Sequence, residues 1–94
     1  MNDVVWSDTP LVQVDVIGAY FEQFNPKAAG EVAVALIAAG SSLGHFPHRG
    51  RPVPGTAMRE LMIASYPYII RYRIVRDTVR ILRVRHTSRR PTNP

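Results

Sequence analysis

Cysteine is absent from this 94-residue chain, which excludes disulfides and thiolate metal sites and leaves the redox compartment open. Lysine is almost missing too: Lys27 is one lysine among 12 basic residues, and arginine supplies the rest. The histidines, His45, His48 and His86, are too few and too scattered for a zinc motif. No long hydrophobic run exists; the longest, Val32 to Ala39, is far too short to cross a membrane. The N-terminus does not resemble a signal peptide. These absences lead to the expectation of a cytoplasmic protein with no membrane association, no metal and no cofactor. What is present is a globular composition, 46% hydrophobic, in a chain of one-domain length that buries only about 60–65% of its unfolded surface.

The charges are segregated along the chain. Residues 1–40 hold Asp3, Asp8, Asp15, Glu22 and Glu31 against Lys27, whereas residues 41–94 hold 11 arginines against Glu60 and Asp77. A net −4 half is thus joined to a net +9 half. Arginine keeps its charge when desolvated and grips phosphate or carboxylate in a bidentate fork. A solvated basic face is the ordinary reading of such a bias, but arginines placed on strands point to an anionic partner, either nucleic acid or acidic protein.

Val4-Val5-Trp6 has the character of a short strand, and Ser7 is placed to cap a helix with Pro10 in its first turn. Over residues 8–24, Val12, Val14 and Val16 alternate as in a strand, yet Val12, Val16 and Tyr20 with Ile17, Phe21 and Phe24 also form a helical stripe, and the length favours helix. Asn25-Pro26 is a cap followed by proline at the first helical position, and Ala29, Val32, Ala33, Leu36 and Ile37 recur at helical spacing up to Gly40, which is placed to end the helix. The two helices make an α-hairpin. Residues 41–56, with three prolines and three glycines, form a loop long enough to be a contact segment. Three strands follow over roughly 57–65, 68–76 and 79–86. The domain spans residues 1–89 and is followed by a mobile tail, 90–94.

Tyr68, Ile70, Tyr72 and Ile74 share one strand face, leaving Arg71 and Arg73 on the other. Setting Tyr72 and Ile70 opposite Leu82 and Val84 requires a turn of odd length, three residues around Asp77-Thr78. Arg71, Arg73, Arg83 and Arg85 then share a face. Like charges set opposite one another destabilise by up to about 1 kcal/mol per pair, so the arrangement implies a function, with protection of a sheet edge as the structural alternative.

Taken together, Val5-Trp6-Ser7, Asn25-Pro26, Phe46-Pro47, Gly50-Arg51, Arg59-Glu60-Leu61, Pro67-Tyr68, Tyr72-Arg73 and Arg83-Val84-Arg85-His86 with Arg89 resemble, in this order and spacing, the ParE/RelE superfamily of type II toxin–antitoxin toxins, the ParE-like branch most closely. The resemblance implies an α+β fold, β-α-α-β-β-β, with an antiparallel sheet and a helical hairpin packed on one face. It also implies growth arrest in the bacterial cell, neutralised by a cognate antitoxin in a hetero-oligomeric complex. Two targets are open. ParE-like toxins poison DNA gyrase without enzymatic chemistry, whereas RelE-like toxins are ribosome-dependent mRNA endoribonucleases. A basic nucleic-acid-binding module without toxicity is a third reading of the residues.

Cleaving RNA at the 2′-hydroxyl requires a base, an acid and cations for the phosphorane charge. The parts at hand are His86, Glu60, Tyr72 and the arginines, Arg71 and Arg83 among them, with His45 and His48 as further candidates on the loop. His86 is the best single candidate, although a histidine at a strand end also serves to hold the following turn. Glu60, the lone acid among basic strands, pairs with a neighbouring arginine on the structural reading. Two departures from catalytic members stand out: Ile69 where an arginine typically follows the tyrosine, and Thr87-Ser88 where a tyrosine often follows the last strand. A slip of two residues would let Arg71 stand in for the first. The gyrase reading is therefore preferred, with Arg51, Arg59, Arg71, Arg73, Arg83, Arg85, His86 and Arg89 as the residues expected to contact target or antitoxin.

Overall fold

The β-branched and aromatic residues of the C-terminal half build a hairpin of two long strands, and the rest of the chain is arranged around it. In the computed structural model, which describes residues 1–88, the elements are β1 (Asp3–Trp6), α1 (Asp8–Glu22), α2 (Pro26–Ser42), β2 (Arg51–Pro52), β3 (Met58–Met62), β4 (Tyr68–Val75) and β5 (Thr78–His86). They form one five-stranded sheet in the order β1-β5-β4-β3-β2. Pairing is antiparallel through β5, β4, β3 and β2, while β1 joins parallel to β5. The α+β architecture with a helical hairpin over one face is as the sequence implies, and β2 is an added two-residue strand within the long loop. Arg89 and the tail 90–94 lie outside the described residues.

Both helices begin where the sequence places them. Asn25 caps α2 by accepting from the N–H groups of Lys27 (3.0 Å) and Ala28 (3.4 Å), with Pro26 in the first turn, which satisfies donors that a helix N-terminus otherwise leaves unpaired. Ser7 occupies the cap position of α1 in extended conformation but makes no side-chain capping bond. Val14 of α1 and Val32 and Leu36 of α2, with Leu43 just beyond it, meet Ile70, Tyr72, Val79, Ile81 and Val84 of the sheet in one core. Full burial of side chains this size contributes roughly 1.5–3 kcal/mol each.

The hairpin register corrects one expectation. The turn holds two residues, Arg76 and Asp77, and Val75 pairs with Thr78. Tyr72 therefore faces Ile81, not Leu82, and a bulge between the Arg71 and Tyr72 pairings restores Ile70 to Val84. The extra residue is absorbed in the strand and not in the turn. A bulge lets the core side chains Ile81 and Val84, three apart in sequence, point to the same face. The alternation rule alone cannot give that spacing. In the tight turn Arg76 adopts φ 58°, a left-handed conformation in which a Cβ is disfavoured.

Gly40 also departs from expectation. It does not end α2, which continues to Ser42. It lies instead beneath the indole of Trp6, and an added Cβ would collide with that ring. Close approach of α2 to β1 is its purpose.

Two stability outcomes follow. Arg76→Gly is expected to raise unfolding stability by about 1 kcal/mol through relief of the turn conformation. Gly40→Ala is expected to lower it by about 1–3 kcal/mol by forcing Trp6 out of place. Urea denaturation with midpoint and slope recorded separately checks both.

Candidate functional site

The sheet face turned away from the helices carries the basic residues in cross-strand rows. Met58, Arg73 and Arg80 form one row, Glu60, Arg71 and Arg83 the next, and Met62, Ile69 and Arg85 a third. Arg51 of β2 is opposite Glu60 at the sheet edge. Arg71, Arg73, Arg83 and Arg85 thus share a face as the sequence implies. Arg80 joins them, a residue missed because the three-residue turn set it out of register. Arg51, Arg73, Arg80 and Arg83 are exposed.

Glu60 is the acid in this field. Its Oε2 accepts from Arg71 Nε at 3.0 Å and Nη2 at 2.7 Å, and from Arg85 Nη2 at 3.3 Å. All three side chains are mostly covered. Burial raises the Glu60 carboxyl, but the hydrogen bonds and charges of Arg71 and then Arg85 together outweigh it and hold the group below its ordinary value of 4.5. The carboxylate is held ionised between two cations, a poor arrangement for accepting a proton.

Tyr72 and Arg59 lie on the opposite, helix-facing side. The Tyr72 ring is fully buried, and its hydroxyl accepts from Gly50 N–H (2.8 Å) and donates to the Pro47 carbonyl (2.7 Å). Burial raises the phenol above its usual value, although the Gly50 N–H and the Arg59 charge pull it down. Arg59 donates to the carbonyls of Gly50 (2.7 Å) and His48 (3.3 Å). Both side chains hold the loop ahead of β2, and a Cβ at Gly50 would come within 2.6 Å of the Tyr72 hydroxyl.

His86 sits at the end of β5. Its Nδ1 receives the Ser88 N–H at 3.1 Å and lies 2.7 Å from the Ser88 hydroxyl, and its ring stands edge-on to Tyr68 with centroids 5.4 Å apart. It holds the turn that follows the strand. Beside it runs a groove between α1 and β5 lined by Gln13, Val16, Tyr20, Tyr68, Arg83 and His86, among others. β1 pairs with β5 only over Thr78 to Ile81. Past that point Gln13 Oε1 accepts the Val84 N–H at 2.6 Å, so a side chain from α1 satisfies the edge. Val12, Val16 and Tyr20 leave an exposed apolar stripe on this helix.

A helical hairpin over one face of a small sheet, with arginines across the other, is the arrangement that the resemblance to ParE/RelE-superfamily toxins implies. Residues 4–91 match the family described as ParE toxin of type II toxin-antitoxin system, parDE. The chain belongs to that family and is a type II toxin–antitoxin toxin. It is 40% identical over 89 residues to Toxin RelE2 of Caulobacter vibrioides, covering 95% of this chain and 99% of the relative. To Putative toxin Y4kP of Sinorhizobium fredii it is 44% identical over 81 residues, covering 86% and 83% of the two chains. A solved structure described as chromosomal ParDE TA system from P. aeruginosa superposes with a TM-score of 0.84 at 19% identity, over 94% of this chain and 98% of that one. At that identity the likeness is one of fold.

Because the folded-state value of Glu60 is depressed, its ionised form contributes stability that is fully present above the ordinary value of 4.5 and is lost as pH falls through the lowered value. Thermal midpoints measured from neutral pH down to about pH 3 are expected to fall on that acid limb. Glu60→Gln is expected to flatten the limb and to lower the midpoint at neutral pH, since Arg71 and Arg85 then face each other without a carboxylate.

Proposed function

We propose that this toxin arrests growth as a non-enzymatic inhibitor of DNA gyrase, engaging its target through the arginine face and held in check by a cognate antitoxin in a hetero-oligomeric complex in the cytoplasm. The observation that carries this reading is the clamping of Glu60 between Arg71 and Arg85, which occupies the carboxylate closest to the cationic rows. The other groups suited to proton transfer are dispersed. Tyr72 is buried on the far side of the sheet with its hydroxyl bonded to Gly50 and Pro47, and His86 Nδ1 is bonded to the turn at Ser88. A general base must reach its proton at about 2.6–3.2 Å while cations meet the developing charge; His86 shares its groove with Arg83 and Arg85, but neither Glu60 nor Tyr72 lines it.

The exposed arginines suit recognition better than chemistry. Arg73 and Arg80 face each other directly across the hairpin, an arrangement unfavourable in the free protein and relieved by an anionic partner. The apolar stripe of α1 and the groove beside it suit an amphipathic antitoxin segment that folds on binding. The kinship with toxins, and the fold shared with a ParDE system, support the same pairing.

Tightly controlled expression tests the reading. Growth arrest with accumulated double-strand DNA breaks and intact mRNA is expected, and His86→Ala is expected to retain it. Paired charge reversal, Arg73→Glu with Arg80→Glu, is expected to abolish arrest with the thermal midpoint unchanged. Codon-positioned mRNA cuts that disappear in His86→Ala would instead establish the ribonuclease.

A further inference from the structure

The loop between α2 and β2 holds an exposed aromatic ring on a backbone pinned from below. Phe46 is 65% exposed. Its neighbours are fixed at several points. The Tyr72 hydroxyl binds the Pro47 carbonyl and the Gly50 N–H, Arg59 binds the carbonyls of His48 and Gly50, and Arg49 Nη1 donates to Ser42 Oγ at 3.2 Å. Backbone bonds from His45 and Phe46 to the Ser42 carbonyl, and from Arg49 to the Phe46 carbonyl, tighten the turn further. A side chain from the centre of the core is thereby committed to the shape of a surface loop.

We infer that Phe46 is a preformed knob by which the toxin docks into an apolar pocket, rimmed by carboxylates, on its protein target. Three features select this occupant. No acidic residue occurs between Glu31 and Glu60, whereas His45, His48, Arg49 and Arg51 flank Phe46 along the chain, so the complementary surface is acidic. The His45 and Phe46 rings are tilted by 48° with centroids 6.3 Å apart, so the two rings do not make one flat platform of the kind on which successive nucleobases stack. The loop runs directly into Arg51, whose pairing with Glu60 places it at the edge of the arginine face, so the knob is joined along the chain to the basic rows. Aromatic and arginine anchors dominate binding at protein interfaces, and a rigid loop loses little freedom when it docks. The apolar groove along α1 does not include Phe46 and is left to the antitoxin.

The choice of partner rests on the gyrase reading, and the experiment separates the two. Full-length toxin is titrated into gyrase holoenzyme with supercoiled plasmid, reading trapped double-strand cleavage, and the same variants are induced in cells, reading growth. Phe46→Ala is expected to raise the toxin concentration for half-maximal cleavage by about 30-fold or more, the range of an interface anchor. Its urea midpoint should match the wild type, and Phe46→Tyr should restore most of the activity. Arg49→Glu should weaken cleavage in the same direction. Cleavage by Phe46→Ala equal to wild type overturns the knob and leaves the gyrase reading standing. If wild-type toxin traps no cleavage yet arrests growth, the gyrase reading fails and growth decides the knob: arrest lost in Phe46→Ala upholds it against another protein, and arrest retained removes it. A wild type that does neither removes both.

Discussion

Between Ile81 and Val84 the last strand carries one residue more than the strand beside it, and most of the molecule's organisation depends on how that residue is accommodated. The bulge at this point keeps Val79, Ile81 and Val84 all in the core while Arg80, Arg83 and Arg85 stay out of it. Without it, either the lower or the upper half of β5 would turn its arginines toward the helices, and burying unpaired guanidinium groups there is prohibitive. The same adjustment permits the two-residue turn at Arg76-Asp77, and the Asp77 carbonyl then receives the Asp3 N–H that begins the parallel pairing of β1. One local irregularity thus links the core, the basic face and the edge strand.

Electrostatics on the open face are a balance of repulsion against a single carboxylate. Glu60 neutralises part of the field by bonding Arg71 and Arg85, and those three side chains are the ones that are mostly covered. Arg51, Arg73, Arg80 and Arg83 are left toward solvent. The clamp therefore divides the arginines into two groups with different work: an inner pair that holds the sheet surface together, and an outer set available to a partner. The same clamp takes Glu60 out of acid–base chemistry, so the inhibitor reading and the stability of the face have a common origin.

Tyr72 performs a comparable double duty on the other side. Its ring is packed between sheet and helices, and its hydroxyl reaches the loop at the sheet edge. The neutral phenol is needed for the bond to Pro47, and burial raises the group further above its ordinary value of 10.0. Loop shape is consequently tied to the core as well as to the loop's own hydrogen bonds, which is why the segment can present Phe46 and its basic neighbours in one arrangement.

Residue pattern by itself determined the helical hairpin, through Asn25-Pro26 and the spacing of Val32 and Leu36; the strand faces of β4, through strict alternation from Tyr68 to Ile74; and the kinship, through short marks in a fixed order. The pairing of Glu60 with arginine and the holding role of His86 were also legible, because each residue has chemically obvious neighbours at strand spacing. The three-residue step from Ile81 to Val84 was a visible trace of the bulge, but a turn of three residues satisfies the same spacing, and only the pairing of β4 with β5 chose between them. The role of Gly40 against Trp6, the parallel docking of β1, the place of Arg80 on the basic face and of Arg59 off it, and the anchoring of the loop by Tyr72 were decided in three dimensions. Each joins residues far apart along the chain, and local propensity carries no information about which distant surface a residue will meet.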